Sequence, residues 1–269
     1  MQPNIARLPF IPRLVSEVNT VFWGDWLDLR VRITQVVASG LISPLIYILA
    51  FGLGLGSSIR PGTSISGDYG SYLEFILPGM VALSSMVISF GGTTFSICGD
   101  RLFSKTFEEL LILPVHHFSL FLGKMMAGIL RGLMTASSVI LIAVVFTGKF
   151  WSFLNPLFLL TLSLNCAVFA GLGVLVGLSV KSLESVGIYN NFLIVPMSFL
   201  GATFFDPASL PFGLKIVVYL LPLTYTSIAL RSAAYFSWSQ FPWYSLVVLF
   251  GLTIGLSIVG ASRFSSQQD

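Results

Sequence analysis

Residues 99–124, GDRLFSKTFEELLILPVHHFSLFLGK, place a short charged element between two long apolar stretches, residues 75–97 and 120–146. A helix needs about 20 apolar residues to cross the roughly 30 Å hydrocarbon core of a membrane, and each flanking stretch is long enough. We therefore interpret both stretches as membrane-spanning helices. The charged element between them, residues 99–118, is called the hook below, and its polar surface is available to a partner outside the membrane.

The composition agrees with a membrane protein along the whole chain. Of 269 residues, 55% are hydrophobic and 9% are charged, with a mean hydropathy of +0.90. Soluble domains are about one-quarter charged. The length allows six spans with modest loops and no folded soluble domain. We predict one all-α integral membrane domain, residues 1–269, with spans at residues 33–56, 75–97, 120–146, 153–180, 185–204 and 244–261.

Six spans put both termini on one side of the membrane, and the basic residues identify that side as the cytosol. Positive residues are enriched in cytosolic loops. They are dispersed along these loops, so the net charge of +3 does not indicate a nucleic-acid partner. With the N-terminus inside, the cytosolic segments hold Arg7, Arg13, Arg30, Arg32, Arg101, Lys105, Lys124, Lys181 and Arg263, and the outer segments hold Arg60, Lys149, Lys215 and Arg231.

Residues 14–32, ahead of the first span, have the pattern of an amphipathic helix. Apolar residues recur at steps of three and four from Val15 to Ile33. Trp23 and Trp26 suit the headgroup level of a membrane. We predict a helix that lies in the cytosolic interface, with polar residues on its other side: Glu17, Thr20, Asp28 and Arg32.

Residues 205–243 contain apolar pieces cut by four prolines. As a helix, the ten residues 212–221 would rise only about 15 Å, half of the hydrocarbon core. We interpret the pieces as short re-entrant helices between the fifth and sixth spans. The alternative is a seventh span at residues 211–234, which would have to accommodate Lys215, Pro222 and Arg231 and would put the C-terminus outside.

The sequence lacks the motifs of an enzyme. The string nearest to a phosphate-binding loop, Gly123-Lys124, has neither the upstream glycine nor the following hydroxyl. His116 and His117 would point about 100° apart on a helix, with no carboxylate or cysteine one turn away, so we predict no metal site. No serine elbow or HExxH string occurs. We therefore predict a non-enzymatic protein that binds no cofactor itself.

Arg131 is a charged residue deep inside a predicted span. It follows Lys124 by seven residues, which is about 10 Å of helical rise into the third span. Its long side chain could snorkel to the cytosolic interface, or it could face neighbouring helices and bind backbone carbonyls. The sequence leaves both possibilities open.

The hook is amphipathic over one or two helical turns. Its polar residues are Asp100, Arg101, Lys105, Glu108 and Glu109. Its apolar residues, at helical spacing, are Leu102, Phe103, Phe107, Leu110 and Leu111. Pro114 is predicted to stop this helix and Ser119 to cap the next span. Such a helix can insert into a groove on a soluble protein, but a simple interfacial turn fits the pattern equally well.

Several short strings occur in order along nearly the whole chain, after the amphipathic N-terminal segment. They are Leu77-Pro78-Gly79, Phe107-Glu108-Glu109-Leu110-Leu111 with Pro114, Gly128 with Arg131-Gly132, Phe204-Phe205 with Leu210-Pro211, and Pro222-Leu223-Thr224-Tyr225 leading to Arg231. In order and spacing they resemble the type 2 permeases of ABC exporters. These permeases are the membrane subunits of systems that export drugs, polysaccharides or lipo-oligosaccharides.

The resemblance implies a multi-pass inner-membrane permease that works as a dimer with two copies of a separate ATP-binding subunit, which holds the ATP and Mg²⁺. In that family the hook carries a coupling helix that contacts the ATPase, which assigns this contact to Arg101, Lys105, Thr106, Phe107, Glu108, Glu109 and Leu110. The pathway forms at the dimer interface, mostly from spans two and five, near Ser89, Phe90, Thr93, Thr94, Asn190, Asn191 and Phe192. Structural or gating roles fall to Arg131, Pro207, Pro211, Pro222, Tyr225 and Arg231.

Two functions of other classes remain open on the residues alone. One is a channel or ion-coupled carrier that acts without an ATPase, and the other is a membrane-embedded assembly protein without transport. Carriers coupled to protons or sodium usually have ionisable residues deep in the bundle, and this chain has few.

Overall fold

A computed structural model describes residues 10–50, 72–104, 106–112, 115–148 and 150–265. Regular secondary structure within these ranges is helical throughout. The α-helices are α1 (Phe10–Tyr47), α2 (Tyr72–Gly99), α3 (Thr106–Ile112), α4 (His117–Thr147), α5 (Phe150–Phe153), α6 (Pro156–Ser179), α7 (Leu183–Tyr189), α8 (Val195–Leu200), α9 (Phe212–Leu220), α10 (Pro222–Tyr235) and α11 (Trp243–Ser265).

Five helices of the described chain are long and apolar enough to cross a membrane: α1, α2, α4, α6 and α11. The helices α2, α4, α6 and α11 confirm the predicted spans two, three, four and six to within a few residues, and α1 contains residues 33–47 of the predicted first span. The predicted end of the first span, residues 51–56, lies outside the described residues. So do the residues that follow, up to residue 71.

The predicted fifth span, residues 185–204, is a broken element. It consists of α7, a π-helical segment (Asn190–Ile194) and α8, which contains Pro196 and ends at Leu200. It is not among the five long helices. The helices α9 and α10 meet at a 90° bend and could together form a sixth crossing or a re-entrant loop. Pro222 opens α10 at its first position, where the missing N–H has no helical partner to lose.

The core of the molecule is built around α2, which packs against α6, α4 and α10. In its most apolar window 78% of the residues are buried, against 17% in α1, so α2 lies inside the bundle and α1 on its outside. Asn165 of α6 ties this core together with polar bonds. Its Nδ2 donates to the Ala82 carbonyl at 3.1 Å and to Ser85 Oγ at 2.9 Å, and its Oδ1 accepts from Thr226 Oγ1 at 2.9 Å.

Small residues bring α6 and α2 into close contact. A Cβ added at Gly173 would lie 2.7 Å from the Phe90 carbonyl oxygen, and one at Gly177 would lie 2.9 Å from Ile97 Cβ. Thr94 Oγ1 also donates to the Gly173 carbonyl at 3.1 Å. The glycines therefore serve helix packing.

We expect Gly173→Ala to lower the free energy of unfolding by about 1–3 kcal/mol, because the new methyl group meets backbone atoms that cannot rotate away. Thermal unfolding of the purified protein in detergent measures this loss. The matched control is Gly251→Ala on α11, where nothing lies within 4 Å of an added Cβ. The control is expected to be neutral or slightly stabilising, since alanine favours helix more than glycine does. Equal unfolding temperatures for both variants would contradict the packing assignment.

The N-terminal segment differs from its prediction in two ways. Residues 14–32 are not a helix distinct from the first span, because α1 runs without a break over 38 residues, about 57 Å at 1.5 Å per residue. Its buried stripe also includes Glu17, which the prediction assigned to the polar side. Glu17 is only 7% exposed, and Val21, Asp25 and Leu29 are buried on the same face at steps of four. Charged side chains of α1 therefore point into the protein.

Candidate functional site

The hook folds as a π-helical segment (Asp100–Ser104) followed by the seven-residue helix α3. One side of α3 packs on the protein. Phe107 is buried, and its ring centroid lies 6.0 Å from that of Phe264 near the end of α11. The Arg101 guanidinium lies 5.5 Å from the centroid of the Phe107 ring. The hook is thus held in a defined orientation against the last helix of the bundle.

Arg101 fixes the start of the hook to the end of α6. Its Nη1 donates to the carbonyl oxygens of Gly177 at 3.0 Å, Leu178 at 2.5 Å and Val180 at 3.2 Å. The last carbonyls of a helix have no partner within the helix, and a cation there also complements the helix dipole. The guanidinium therefore caps α6 and links it to the hook.

The other side of the hook is exposed. Thr106, Glu108 and Glu109 face outward from α3. Two large apolar side chains flank them without cover from the described chain, Phe103 with 68% and Ile112 with 84% of its surface exposed. The outward face thus combines two carboxylates with one aromatic and one aliphatic side chain, a composition suited to binding a complementary protein surface.

A buried ion network joins the hook to α1 and α4. Lys124 of α4 is 6% exposed, and its Nζ donates to Asp25 Oδ1 at 2.8 Å and to Asp100 Oδ2 at 2.7 Å. Asp25 belongs to α1 and Asp100 to the start of the hook. One cation with two carboxylates therefore holds three elements at one point.

Glu17 makes a second link between α1 and α4. Its Oε2 accepts from the His116 backbone N–H at 3.1 Å and from Ser119 Oγ at 2.8 Å, while Oε1 accepts from Arg13 at 2.9 Å. The N-cap of α4 is His116, whose Nδ1 accepts from the Phe118 N–H. The prediction that Ser119 caps this helix was wrong by three residues, and Ser119 instead binds α1.

Two cavities form one groove between α1, α2 and the broken α7–α8 element. The lower cavity, near the hook, has a volume of about 430 Å³, and the upper one about 220 Å³. They share Ser39, Val87, Ile88 and Asn190 as lining residues. The lower cavity carries the charged residues Asp28, Arg32 and Arg131, whereas the upper one ends at Tyr47 and Phe199.

Arg131 faces the bundle and lines the lower cavity. Its side chain is 5% exposed, with Nη1 donating to the Gly92 carbonyl at 2.9 Å and Nη2 to Ser96 Oγ at 3.3 Å. Of the two orientations that the sequence left open, the structure shows the one in which the guanidinium binds a backbone carbonyl of a neighbouring helix.

Comparison with known proteins agrees with this architecture. The sequence model of the ABC-2 type transporter family matches residues 16–235. The chain belongs to this family. It is 28% identical over 209 residues to the inner membrane transport permease YadH of Escherichia coli K12, covering 76% of this chain and 77% of that protein. It is 26% identical over 191 residues to nodulation protein J of Rhizobium leguminosarum bv. viciae, covering 71% of each chain.

In this ABC-2 permease the predicted ATPase contacts divide into an inner and an outer group. Thr106, Glu108 and Glu109 are exposed, as a contact requires. Phe107 and Arg101 instead bind within the chain, because the phenyl ring is buried on α11 and the guanidinium caps α6. Lys105 and Pro114 lie outside the described residues, and so does the side chain of Leu110.

The predicted pathway residues fall into one group at the groove and another buried in the bundle. Asn190 lines both cavities, and Asn191 and Phe192 are exposed beside it. The α2 residues lie on the opposite side of that helix from the groove. They are buried, and the contacts resolved for them are with α4 and α6. The residues buried there are Ser89, Phe90, Thr93 and Thr94, and the α2 residues that line the groove instead include Val87, Ile88, Gly91, Gly92 and Phe95.

Apart from Arg131, the residues predicted to have structural or gating roles lie in α10, just before α9 or in the turn that precedes it. Pro207 is buried in a short 3₁₀ turn (Pro207–Ser209), Pro211 precedes α9, and the Tyr225 hydroxyl donates to the Tyr219 carbonyl at 2.8 Å. The count of basic residues placed Arg231 in an outer segment, but its side chain is buried within the protein. The polar links that Glu17, Asp25, Lys124 and Asn165 make between helices were not predicted from the sequence. The signal that could have identified them is a polar residue within an otherwise apolar helix.

Proposed function

We propose that this chain is the membrane subunit of an ATP-driven exporter, with the hook as its contact to a separate ATP-binding subunit. Membership of the ABC-2 family and the absence of a phosphate-binding loop from the sequence support a motor in another chain. Similarity to YadH, an inner membrane transport permease, supports a multi-pass location in the inner membrane. Both termini then lie in the cytosol, on the side of the hook.

The observation that carries this proposal is the two-sided construction of the hook. Its inner side is tied to α6, α11 and α4 through Arg101, Phe107 and Asp100, so a force on the hook reaches three helices. Its outer side presents Glu108 and Glu109 between exposed apolar side chains. ATP-driven closure of the partner subunits would move this rigid element and, through it, the bundle.

Two copies of the chain are proposed to form the pathway, each contributing the groove between α1, α2 and the α7–α8 element. The groove opens on a face of α2 that the described chain leaves partly uncovered, and Phe192 beside it is exposed. An amphipathic substrate, whether drug, lipid or lipo-oligosaccharide, suits a groove with a charged lower end and an uncharged upper end.

We expect the double variant Glu108→Lys/Glu109→Lys to lose its ATP-binding partner while retaining the membrane fold. Both side chains are exposed, so reversing their charge affects a contact surface rather than the core. The measurement is the amount of P-loop ATPase, identified by mass spectrometry, that co-purifies with the permease from native membranes. A loss of tenfold or more, corresponding to about 1.4 kcal/mol, is expected.

The matched control is Glu184→Lys, which reverses an exposed carboxylate at the start of α7. This control should hold the ATPase as tightly as the parent chain. If the double variant also does so, the hook is not the coupling contact. Substrate flux into vesicles that contain only the permease, without ATP, would contradict the proposal as a whole and favour a self-sufficient carrier.

A further inference from the structure

Arg131 places a buried positive charge against the lower cavity and has no carboxylate within ion-pair distance in the described part of the chain. The carboxylates of Asp25, Asp28 and Asp100 act on its charge only from farther away. A guanidinium has five N–H donors and cannot be deprotonated. Two of its nitrogen atoms bind the Gly92 carbonyl and Ser96 Oγ, both uncharged groups. Within the described ranges, Arg131 makes no ion pair.

The carboxylates nearest to Arg131 each bind another cation, and Asp25 and Asp100 share Lys124. Asp28 is paired with Arg32 one helical turn away at 3.5 Å, and both side chains are more than half exposed. The lining thus carries two arginines and one aspartate. Ser39, Ser96 and Asn190 add neutral polar groups to the same wall. The cavity therefore has an excess of positive charge and several hydrogen-bond donors.

A buried cation that makes no direct ion pair is costly in a protein within a membrane. An anion that enters the cavity offsets this cost, and the planar guanidinium matches the oxygen atoms of a phosphate group in a bidentate geometry. The lower cavity, at about 430 Å³, is within the size range of small-molecule sites.

The upper cavity continues from the same lining residues and changes in character. Its lining includes Gly40, Pro44, Leu83, Val195 and Phe199 together with four serines, and no charged residue. A molecule that occupied both cavities would meet cationic groups at the hook end and uncharged groups, both apolar and hydroxyl-bearing, above Val87 and Ile88.

We propose that Arg131 binds the anionic, phosphate-type head group of an amphipathic substrate whose apolar part lies in the upper cavity. This inference rests on the proposed function for its claim that the ligand is a substrate. The binding itself needs only the permease.

The test uses the full-length permease in phosphatidylcholine nanodiscs and radiolabelled dodecyl phosphate as the probe. We expect saturable binding that is weakened about tenfold or more by Arg131→Gln and less by Arg131→Lys, because the lost contact is a charge-assisted hydrogen bond. The matched control Lys181→Gln removes an exposed cation away from the groove and should leave binding unchanged. Equal binding by Arg131→Gln and the parent chain would overturn the proposal.

A second variant keeps the test decisive if Arg131→Gln fails to fold. Val87→Trp leaves every charge in place and fills the junction of the two cavities. It should also weaken binding of dodecyl phosphate about tenfold, as for a steric block of the site. Unchanged binding by this variant would show that the probe does not occupy the groove.

Three competitors distinguish the possible ligands. Dodecanol should compete poorly if the head group is recognised, and inorganic phosphate should compete poorly if the apolar part is needed. Nanodiscs doped with phosphatidylglycerol should bind the probe as well as undoped ones. Strong competition by dodecanol would indicate an apolar site, by inorganic phosphate a free phosphate site, and by phosphatidylglycerol a resident lipid site, and each would replace this proposal.

The binding test contains no ATPase, so its failure would leave the exporter proposal unaffected. Loss of the ATPase contact would likewise leave the proposed binding of dodecyl phosphate unaffected.

Discussion

Replacing Arg231 with methionine is expected to abolish the accumulation of folded protein. The guanidinium is buried, with Nε donating to the Phe75 carbonyl at 2.8 Å and Nη2 to the carbonyls of Ala202 at 2.5 Å and Thr203 at 2.6 Å. It also lies 3.8 Å above the Phe75 ring. One side chain thus joins α10, the start of α2 and the turn after α8.

The expected loss is large because methionine removes every donor while leaving the carbonyls buried. Each unsatisfied buried acceptor costs about 1–3 kcal/mol, so three approach the roughly 5–15 kcal/mol that stabilise a typical protein. Ala202 has a φ of +56°, which is unusual for a residue with a side chain, and its carbonyl bond to Arg231 offsets part of that strain.

Size-exclusion chromatography of detergent-solubilised protein measures the folded yield of Arg231→Met. Arg231→Lys keeps the charge but has fewer donors, so an intermediate yield is expected. The matched control is Lys215→Met on α9, which removes a cation from the neighbouring helix and should leave the yield near that of the parent chain. A normal monodisperse peak for Arg231→Met would show that the three carbonyls find other partners.

The membrane spans were predictable from the sequence, whereas the side of each helix that contacts the rest of the protein was not. A run of about 20 apolar residues is sufficient to identify a membrane helix. It does not tell which side of the helix meets protein, because lipid and protein interior are both apolar. On α2, the family resemblance placed Ser89 and Thr93 beside the pathway, but they are buried in the bundle while Val87 and Ile88 line the groove.

The partners of buried charges could not be predicted either, because they are distant in sequence. Glu17 binds Ser119 and Asp25 binds Lys124, each pair about one hundred residues apart. The prediction of an amphipathic helix over residues 14–32 assumed that its charged residues face water. The hook, in contrast, depends on local features, and its short helix with exposed Glu108 and Glu109 was predictable from spacing alone.

Replacing Lys124 with methionine is expected to lower the free energy of unfolding by about 3–5 kcal/mol, the usual cost of removing one partner of a buried ion pair. Methionine fills a similar volume but leaves Asp25 and Asp100 facing each other without a cation. Their repulsion should separate α1 from the hook, so this variant should also retain less of the ATP-binding subunit. Thermal unfolding and co-purification measure the two effects.

A triple variant separates charge balance from the specific link. Asp25→Asn/Asp100→Asn/Lys124→Met removes all three charges, and uncharged replacements of a whole buried network are often neutral or stabilising. We expect the triple variant to recover most of the stability. It should not recover the full ATPase contact, because no ion pair then fixes the hook to α1 and α4. The control Lys181→Met, at an exposed lysine, should match the parent chain in both measurements. If Lys124→Met unfolds at the temperature of that control, the network does not stabilise the hook, and the fixed position of the hook must depend on Arg101 and Phe107 alone.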